Sequence, residues 1–441
     1  MAAHWTTSPL PGSGEATREI NRTRLAGGGT TKQPNASGGD GPPRTAGTAS
    51  RHPETKRFTA SEPSGLPGSP DCPEPAPLPL RPNFRETAGM DDSLAPDSVA
   101  PDSAAHGALA LHRALVTLDT HIDIPWPPGP EPFQDGPRKV DMPKMVRGGM
   151  SAGCFVAYVP QAARTPATED AAFARAIAML DHINAMGRTE NAITARVTPT
   201  ADAVEAAKRD GVQAIVPCVE NGFAIGTDLA RLAEFRARGA RYLTLTHNGH
   251  NALADSCNPR RDLGDRDSEH GGLSAIGQRA IRELNRLGIM VDVAHTSRDT
   301  MMQAAEASRT PIVSTHSCVS ALCDHSRNMT DWQLDIIRDV HGVIQITAVS
   351  AFLKPNAKPE EVSTADFVDH VDYAVKRIGI DHVGISSDFD GGGWFKDWSD
   401  AGDTANITIE LVRRGYDRGA LEKLWGGNFL RVMRVVEEAA E

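Results

Sequence analysis

No stretch of this chain approaches the ~20 consecutive apolar residues that cross a bilayer, and its start lacks a basic leader followed by an apolar core of roughly 7 to 15 residues. Neither a membrane span nor a secretory signal is expected, and the closing VVEEAAE lacks the hydrophobic tail of a lipid-anchor signal. Cysteine is scarce: six, at positions 72, 154, 218, 257, 318 and 323, form no CxxC pair and no Cys/His zinc-finger spacing. Cys154, Cys218 and Cys318 fall in or beside predicted strands and read as small core residues, and reduced thiols in a cytoplasm are the expected state. Positive charge is also short. The formal net charge is −11, of which residues 1 to 105, with 10 basic and 12 acidic side chains, supply −2 and the remainder −9. So acidic a domain suits neither nucleic acid nor an anionic membrane as partner.

Through about residue 105 a periodic apolar pattern is missing as well. Those residues hold 16 of the 31 prolines, with Gly-rich and Ser/Thr-rich patches between them. Such a segment cannot bury enough apolar surface to offset its chain entropy. Residues 1–105 are therefore expected to be a disordered extension, within which Met90 is a candidate start of translation, and residues 106–441 a single domain.

What is present, from about residue 112 onward, is alternation. Eight apolar runs rich in β-branched residues lack polar alternation: ALVTLD (114–119), MSAGCFVAYV (150–159), VQAIVPCVE (212–220), RYLTLTH (241–247), GIMVDVAH (288–295), PIVSTH (311–316), GVIQITAV (342–349) and HVGISSD (382–388). Each reads as a parallel strand buried on both faces. Amphipathic segments lie between them, such as 169–186, 200–210 and 364–379. In GLSAIGQRAIRELNRLG (272–288), Ile276, Ala280, Ile281, Leu284 and Leu287 form one stripe and Gly288 stops the helix. Eight βα units predict an α/β fold of the (β/α)8 TIM-barrel type, whose strand C-termini gather at one face.

At that face the chain places acids and histidines. His121, Glu220, His295 and His316 fall at, or within two residues beyond, the polar end of an apolar run, Asp123 follows His121 by two, and Asp388 ends a fifth run. His121 and Asp123 stand two apart, so on an extended segment both point the same way. A lone histidine after a strand is ordinarily a hydrogen-bonded core residue, and a lone glutamate a helix cap. Several converging on one point demand cations, because buried carboxylates are not tolerated uncompensated. Nitrogen and oxygen ligands without thiolate suit zinc best, with manganese or cobalt also compatible.

The blocks TLDTHID, VENGFAIG, RYLTLTHNGHNALADS, GLSAIGQRAIRELNRLGIMVDVAHTS, VSTHSCVSALCDHSRNMTD, HVGISSDFDGG and RRGYDRGALEKLWGGNFLRV together resemble the renal (membrane) dipeptidase family, the M19 metallopeptidases of the amidohydrolase superfamily, over residues 112 to 438. The resemblance implies that His121 and Asp123 bind one zinc, that His295 and His316 bind a second, and that Glu220 bridges them. It implies that His247 and Arg327 contact the substrate carboxylate or the tetrahedral intermediate, and that Asp388 is the catalytic acid/base. Asp390, two residues further into a Gly-rich loop, reads as a turn or capping residue.

Two zinc ions sharing one water lower its pKa toward neutrality, Asp388 can move the proton to the leaving amine, and Arg327 suits bidentate pairing with a carboxylate. The expected substrate is a small dipeptide with a free carboxylate, and the resemblance adds tolerance for a D-residue on its C-terminal side. The family often has an aromatic hydroxyl after the seventh strand, where TAVSAFLKP offers Ser350 and Phe352 and no tyrosine. Loops rich in Pro, Gly and Trp after the first and eighth strands are expected to wall the site, with Trp394 and Trp398 lining the pocket or packing the loop. N-acyl-amino-acid or lactam hydrolysis would use the same ligands. A catalytically silent barrel would be expected to lose at least one of the six residues. A homodimer is compatible with the sequence, which shows no interface.

Overall fold

The computed structural model describes residues 101–441. The stretch read as a disordered extension lies outside the described residues up to position 100, Met90 included. All eight apolar runs form strands: β1 (Leu118–Asp123), β2 (Ala152–Tyr158), β3 (Gln213–Glu220), β4 (Tyr242–Thr244), β5 (Met290–Asp292), β6 (Val313–Ser317), β7 (Val343–Ile346) and β8 (Val383–Ile385). They pair in chain order and in parallel. The loop after β8, rather than β8 itself, closes the ring. Asp388 N donates to His121 O at 3.1 Å and Asp123 N donates to Phe389 O at 2.9 Å. The architecture is the expected (β/α)8 barrel.

The helices begin and end where their sequence signals lie. The segment read as 272–288 is helical over Ala275–Leu287; the Ser274 side chain accepts from Gly277 N, and Gly288 ends the helix at φ +66°. Ala280, Ile281 and Leu284 of its apolar stripe are buried, while Ile276 and Leu287 flank the core half-buried.

One element departs from the sequence reading. Thr189–Glu190 and Ile193–Val197 form a hairpin. Its second strand pairs in parallel with the first residues of β3, from Gln213 to Ile215. It fills the edge of β3 below the point where Leu243 and Thr244 of β4 take over beside Val219 and Glu220.

A second apolar cluster holds the opposite end together. It gathers Leu118, Tyr242, Met290, Val313 and Val343, the first residues of five strands, with Phe429, Leu430 and Met433 of the C-terminal helix Asn428–Glu438. That helix plugs the N-terminal end of the barrel. Each such fully buried side chain contributes on the order of 1.5–3 kcal/mol. The bottom is thereby sealed, and the strand C-termini open onto the other face.

Candidate metal centre and active site

The side chains singled out from the sequence meet at that face. Glu220, the last residue of β3, stands at their centre with its two oxygens turned to different neighbours. Its Oε2 lies 3.6 Å from His121 Nε2, while its Oε1 lies 3.2 Å from His295 Nε2 and 3.5 Å from His316 Nε2. Donor atoms of His121, Asp123 and Asp388 lie within 4.8 Å of one another, as do those of His121, Glu220 and His316, and those of Glu220, His247 and His295. The structure therefore brings all six strand-end residues together. It also places His247 within reach as a further nitrogen donor.

β4, β5, β7 and β8 each end three residues earlier than the sequence reading has them, whereas β1 runs four residues further. His121, Asp123, Glu220 and His316 lie within their strands, whereas His247, His295 and Asp388 follow β4, β5 and β8 by three residues. Two of these loops use unusual backbone: His295 has φ +64° and Asp388 φ +61°, and Asn221, beside Glu220, has φ +80°. Non-glycine residues seldom occupy this region, at a cost of roughly 1–3 kcal/mol each, and do so where the surroundings hold them. Gly391 passes so close to the acids that a Cβ there would sit 2.2 Å from Asp123 Oδ2 and 2.4 Å from Asp388 Oδ1.

Burial dominates the electrostatics. It pushes the Asp388 carboxyl up to about 7 against the pull of His121, and, with Glu220 adding to it, raises Asp123 well above the usual carboxylate range. Burial also opposes the charge on Glu220, but the His121, His295 and His247 imidazoles together outweigh it and hold that carboxyl well below its ordinary value. Against the same desolvation, Glu220 raises His121 to about 10. His295 and His316 are lowered by burial to the neutral imidazole that ligates metals. His121 Nε2, Asp123 Oδ1, Glu220 Oε1 and His295 Nδ1 are buried without a hydrogen-bond partner. Buried imidazole nitrogens and carboxylate oxygens left without partners are what a divalent cation would satisfy, so the residues fit a metal centre.

A cavity of about 350 Å³ opens above the cluster. Arg327 lines it, 5% exposed, with Nη2 donating to His316 O at 3.1 Å and Nε unpartnered. Phe352 and His325 form an adjacent wall, ring centroids 4.6 Å apart. Ser350 turns away, donating to Trp394 O at 2.6 Å, and supplies no hydroxyl to the cavity. A phenol comes instead from Tyr158, the last residue of β2, whose hydroxyl lies 3.5 Å from His247 Nδ1. Tyr158, Asn248, Asn258 and His325 are not singled out from the sequence, although Tyr158 ends β2 just as Glu220 ends β3.

The two tryptophans pack the loop. Trp398 is fully buried against Phe367, Phe389 and Trp425, and Trp394 lies under Lys139 Nζ, 4.8 Å from the ring centroid. Neither lines the cavity. Asp390 accepts from Lys139 N at 3.0 Å and Val140 N at 3.3 Å, tying the loop after β1 to the loop after β8.

An eightfold barrel carrying a buried histidine and carboxylate cluster at its strand C-termini defines a hydrolase barrel of the amidohydrolase type. Within that class the chain belongs to the membrane dipeptidase family, peptidase family M19, whose model matches residues 106–441. It is 34% identical over 241 residues to the dipeptidase tcpJ of Claviceps purpurea (strain 20.1), a match covering 54% of this chain and 55% of that protein, so the chain spans about half the length of that relative. Among solved structures it is similar to the probable dipeptidase PvdM from Pseudomonas aeruginosa, with a TM-score of 0.73 and 30% identity over 77% of this chain and 100% of that one. It is also similar to a metallo peptidase from Rhodobacter sphaeroides liganded with a phosphinate mimic of the dipeptide L-Ala-D-Ala, with a TM-score of 0.61 and 27% identity over 73% of this chain and 99% of that one.

Proposed function

We propose that this chain is a zinc-dependent dipeptidase that hydrolyses small dipeptides, including those with a C-terminal D-residue. The observation that carries the reading is the division of Glu220, one oxygen toward His121 and the other toward His295 and His316. His121 and Asp123 would hold one ion, His295 and His316 a second, with Glu220 shared. When bound there, divalent ions supply Lewis acidity toward a carbonyl and lower the pKa of water.

The chain's own residues do the rest. Asp388, beside His121 and Asp123, takes the proton of the attacking water and passes it to the leaving amine; a carboxyl whose burial favours the protonated form suits the second half of that task. Arg327 lines the cavity and pairs with the substrate's terminal carboxylate. His247, which lines the same cavity with the Tyr158 hydroxyl beside it, donates to the oxygen that gains charge. A cavity of about 350 Å³ holds two residues rather than a longer peptide, which supports the dipeptide over the polypeptide. Tolerance of a D-residue draws support from the ligand of the Rhodobacter sphaeroides relative.

The test is a substrate panel. Full-length protein loaded with Zn2+ is assayed on L,L and L,D dipeptides and on N-acetyl amino acids; turnover of dipeptides of both kinds is expected. Activity on the acyl substrates alone would sink the dipeptidase reading.

A further inference from the structure

Beneath the cluster lies a layer of polar side chains that does not line the cavity. Asp292, the last residue of β5, is fully buried and has every acceptor position filled. Its Oδ1 accepts from Ala294 N at 3.1 Å and Thr315 N at 3.0 Å, and its Oδ2 accepts from the Thr244 hydroxyl at 2.6 Å and the Thr315 hydroxyl at 2.7 Å. Thr315 has thus committed its only hydroxyl hydrogen to Asp292. Toward His316 Nδ1, 3.0 Å away, it can only accept. His316 therefore carries its hydrogen on Nδ1 and leaves Nε2, the nitrogen facing Glu220, with a lone pair.

His121 is held the same way by other means. The Tyr242 hydroxyl lies 3.0 Å from Thr120 O, a carbonyl that can only accept, and 2.9 Å from His121 Nδ1. The phenol spends its hydrogen on the carbonyl, so Nδ1 donates to it and Nε2 is again left for the centre of the site.

The geometry points to Asp292, acting through Thr315, and to Tyr242 as positioning residues that fix the tautomers of His316 and His121 for cation binding. This rests on the reading of the cluster as a metal centre. Outer partners that fix the tautomer and ring orientation of a ligating histidine typically contribute 10–100-fold in metal affinity.

The arrangement makes Asp292→Asn more informative than a simple deletion. The new Nδ2 cannot face the two backbone N–H groups, which accept nothing, so it turns to the two threonine hydroxyls and donates. The Thr315 hydroxyl must then swing its own hydrogen onto His316 Nδ1. That selects the Nε2–H tautomer and blocks the nitrogen that should ligate, the same inversion that an asparagine causes beneath the histidine of a serine-protease triad.

The experiment titrates metal-free full-length protein and its variants with Zn2+ against a chromophoric chelator, records the visible spectrum of the Co2+ forms, and takes melting curves of the metal-free proteins to establish folding. Asp292→Asn and Thr315→Val are expected to weaken one of two ions roughly 10–100-fold and change the Co2+ bands, Tyr242→Phe to weaken the other, and Thr315→Ser to match the parent. Asp292→Asn with parental affinity for both ions overturns the proposal. Should Asp292→Asn fail to fold, parental affinity in both Thr315→Val and Tyr242→Phe overturns it instead. A parent chain that binds no Zn2+ overturns this proposal and the metallopeptidase reading together. A parent that binds Zn2+ and hydrolyses no dipeptide overturns only the latter, because the affinity shifts are measured without substrate.

Discussion

Asp388 and Arg327 differ in how their environments prepare them. Asp388 sits half-buried at φ +61°, lining the cavity, and its backbone N–H donates to His121 O. The asparagine at that position fits the same space and cannot move a proton. Asp388→Asn is expected to keep the metals, measured as zinc per chain, and to lose roughly 10²–10⁴-fold in kcat; an unchanged rate would reassign the acid/base. Arg327 is anchored by one Nη2 bond to His316 O and lines the cavity. Lysine offers a point charge without the planar fork. Arg327→Lys is expected to raise KM for dipeptides by about tenfold or more while leaving zinc content unchanged, corresponding to the loss of one hydrogen bond to a charged group. An unchanged KM would remove Arg327 from carboxylate recognition.

Elements were legible where burial alone decides them. The eight strands are apolar runs because both their faces are covered, and that leaves a mark in composition. The hairpin at 189–197 left none, because its turn residues Asn191 and Ala192 both adopt positive φ, at 50° and 63°, and alanine is not a residue from which such a turn is read. The side chains of the metal cluster were legible as polar ends of those runs. The loops that carry Asn248, Asn258 and His325 into the cavity were not, since irregular segments have no period to read. The N-terminal helix, Pro101–Ala114, shows another kind of attachment. His112 on it is fully buried, with Nε2 donating to Gly148 O at 3.0 Å and Nδ1 lying 2.6 Å from the Thr408 hydroxyl, which Trp425 Nε1 also reaches, at 2.8 Å. Both ring nitrogens have partners in the neutral form, and burial lowers the ring's pKa from 6.5 to about 4. Above pH 6.5 the folded and unfolded chains both hold it neutral. As pH falls from 6.5 toward 4 the unfolded chain takes up a proton that the folded one refuses, so stability drops by ~1.4 kcal/mol per unit over that window and no further below it. Denaturant melts of the parent and of His112→Gln across this range are expected to show a shallower acid decline in the variant; parallel declines would mean that another group sets the acid limit.

At the scale of the whole molecule, the domain spends stability to hold charge inside. Asp119, Asp123, Glu220, Asp292 and Asp388 all lie in or just above one barrel interior, with Arg327 the permanently cationic side chain facing the cavity above them. Ions bound to the folded state alone offset that burden, by ~2.7 kcal/mol for each at a hundred times its Kd. Chelation is expected to lower the melting temperature by several degrees and Zn2+ to restore it in a concentration-dependent way; coincident melts with and without chelator would contradict this. The seam of the barrel adds a consequence in time. Asp119 Oδ1 accepts from both His121 N and Ser387 N, and the acids of β1 meet Asp388 where the two ends of the barrel join. A chain emerging from the ribosome therefore displays His121 and Asp123 long before their counterpart exists. Asp388 reaches its place only when the final strand has docked, so on the proposed mechanism an incomplete product that captures an ion early has no means of turning over a substrate.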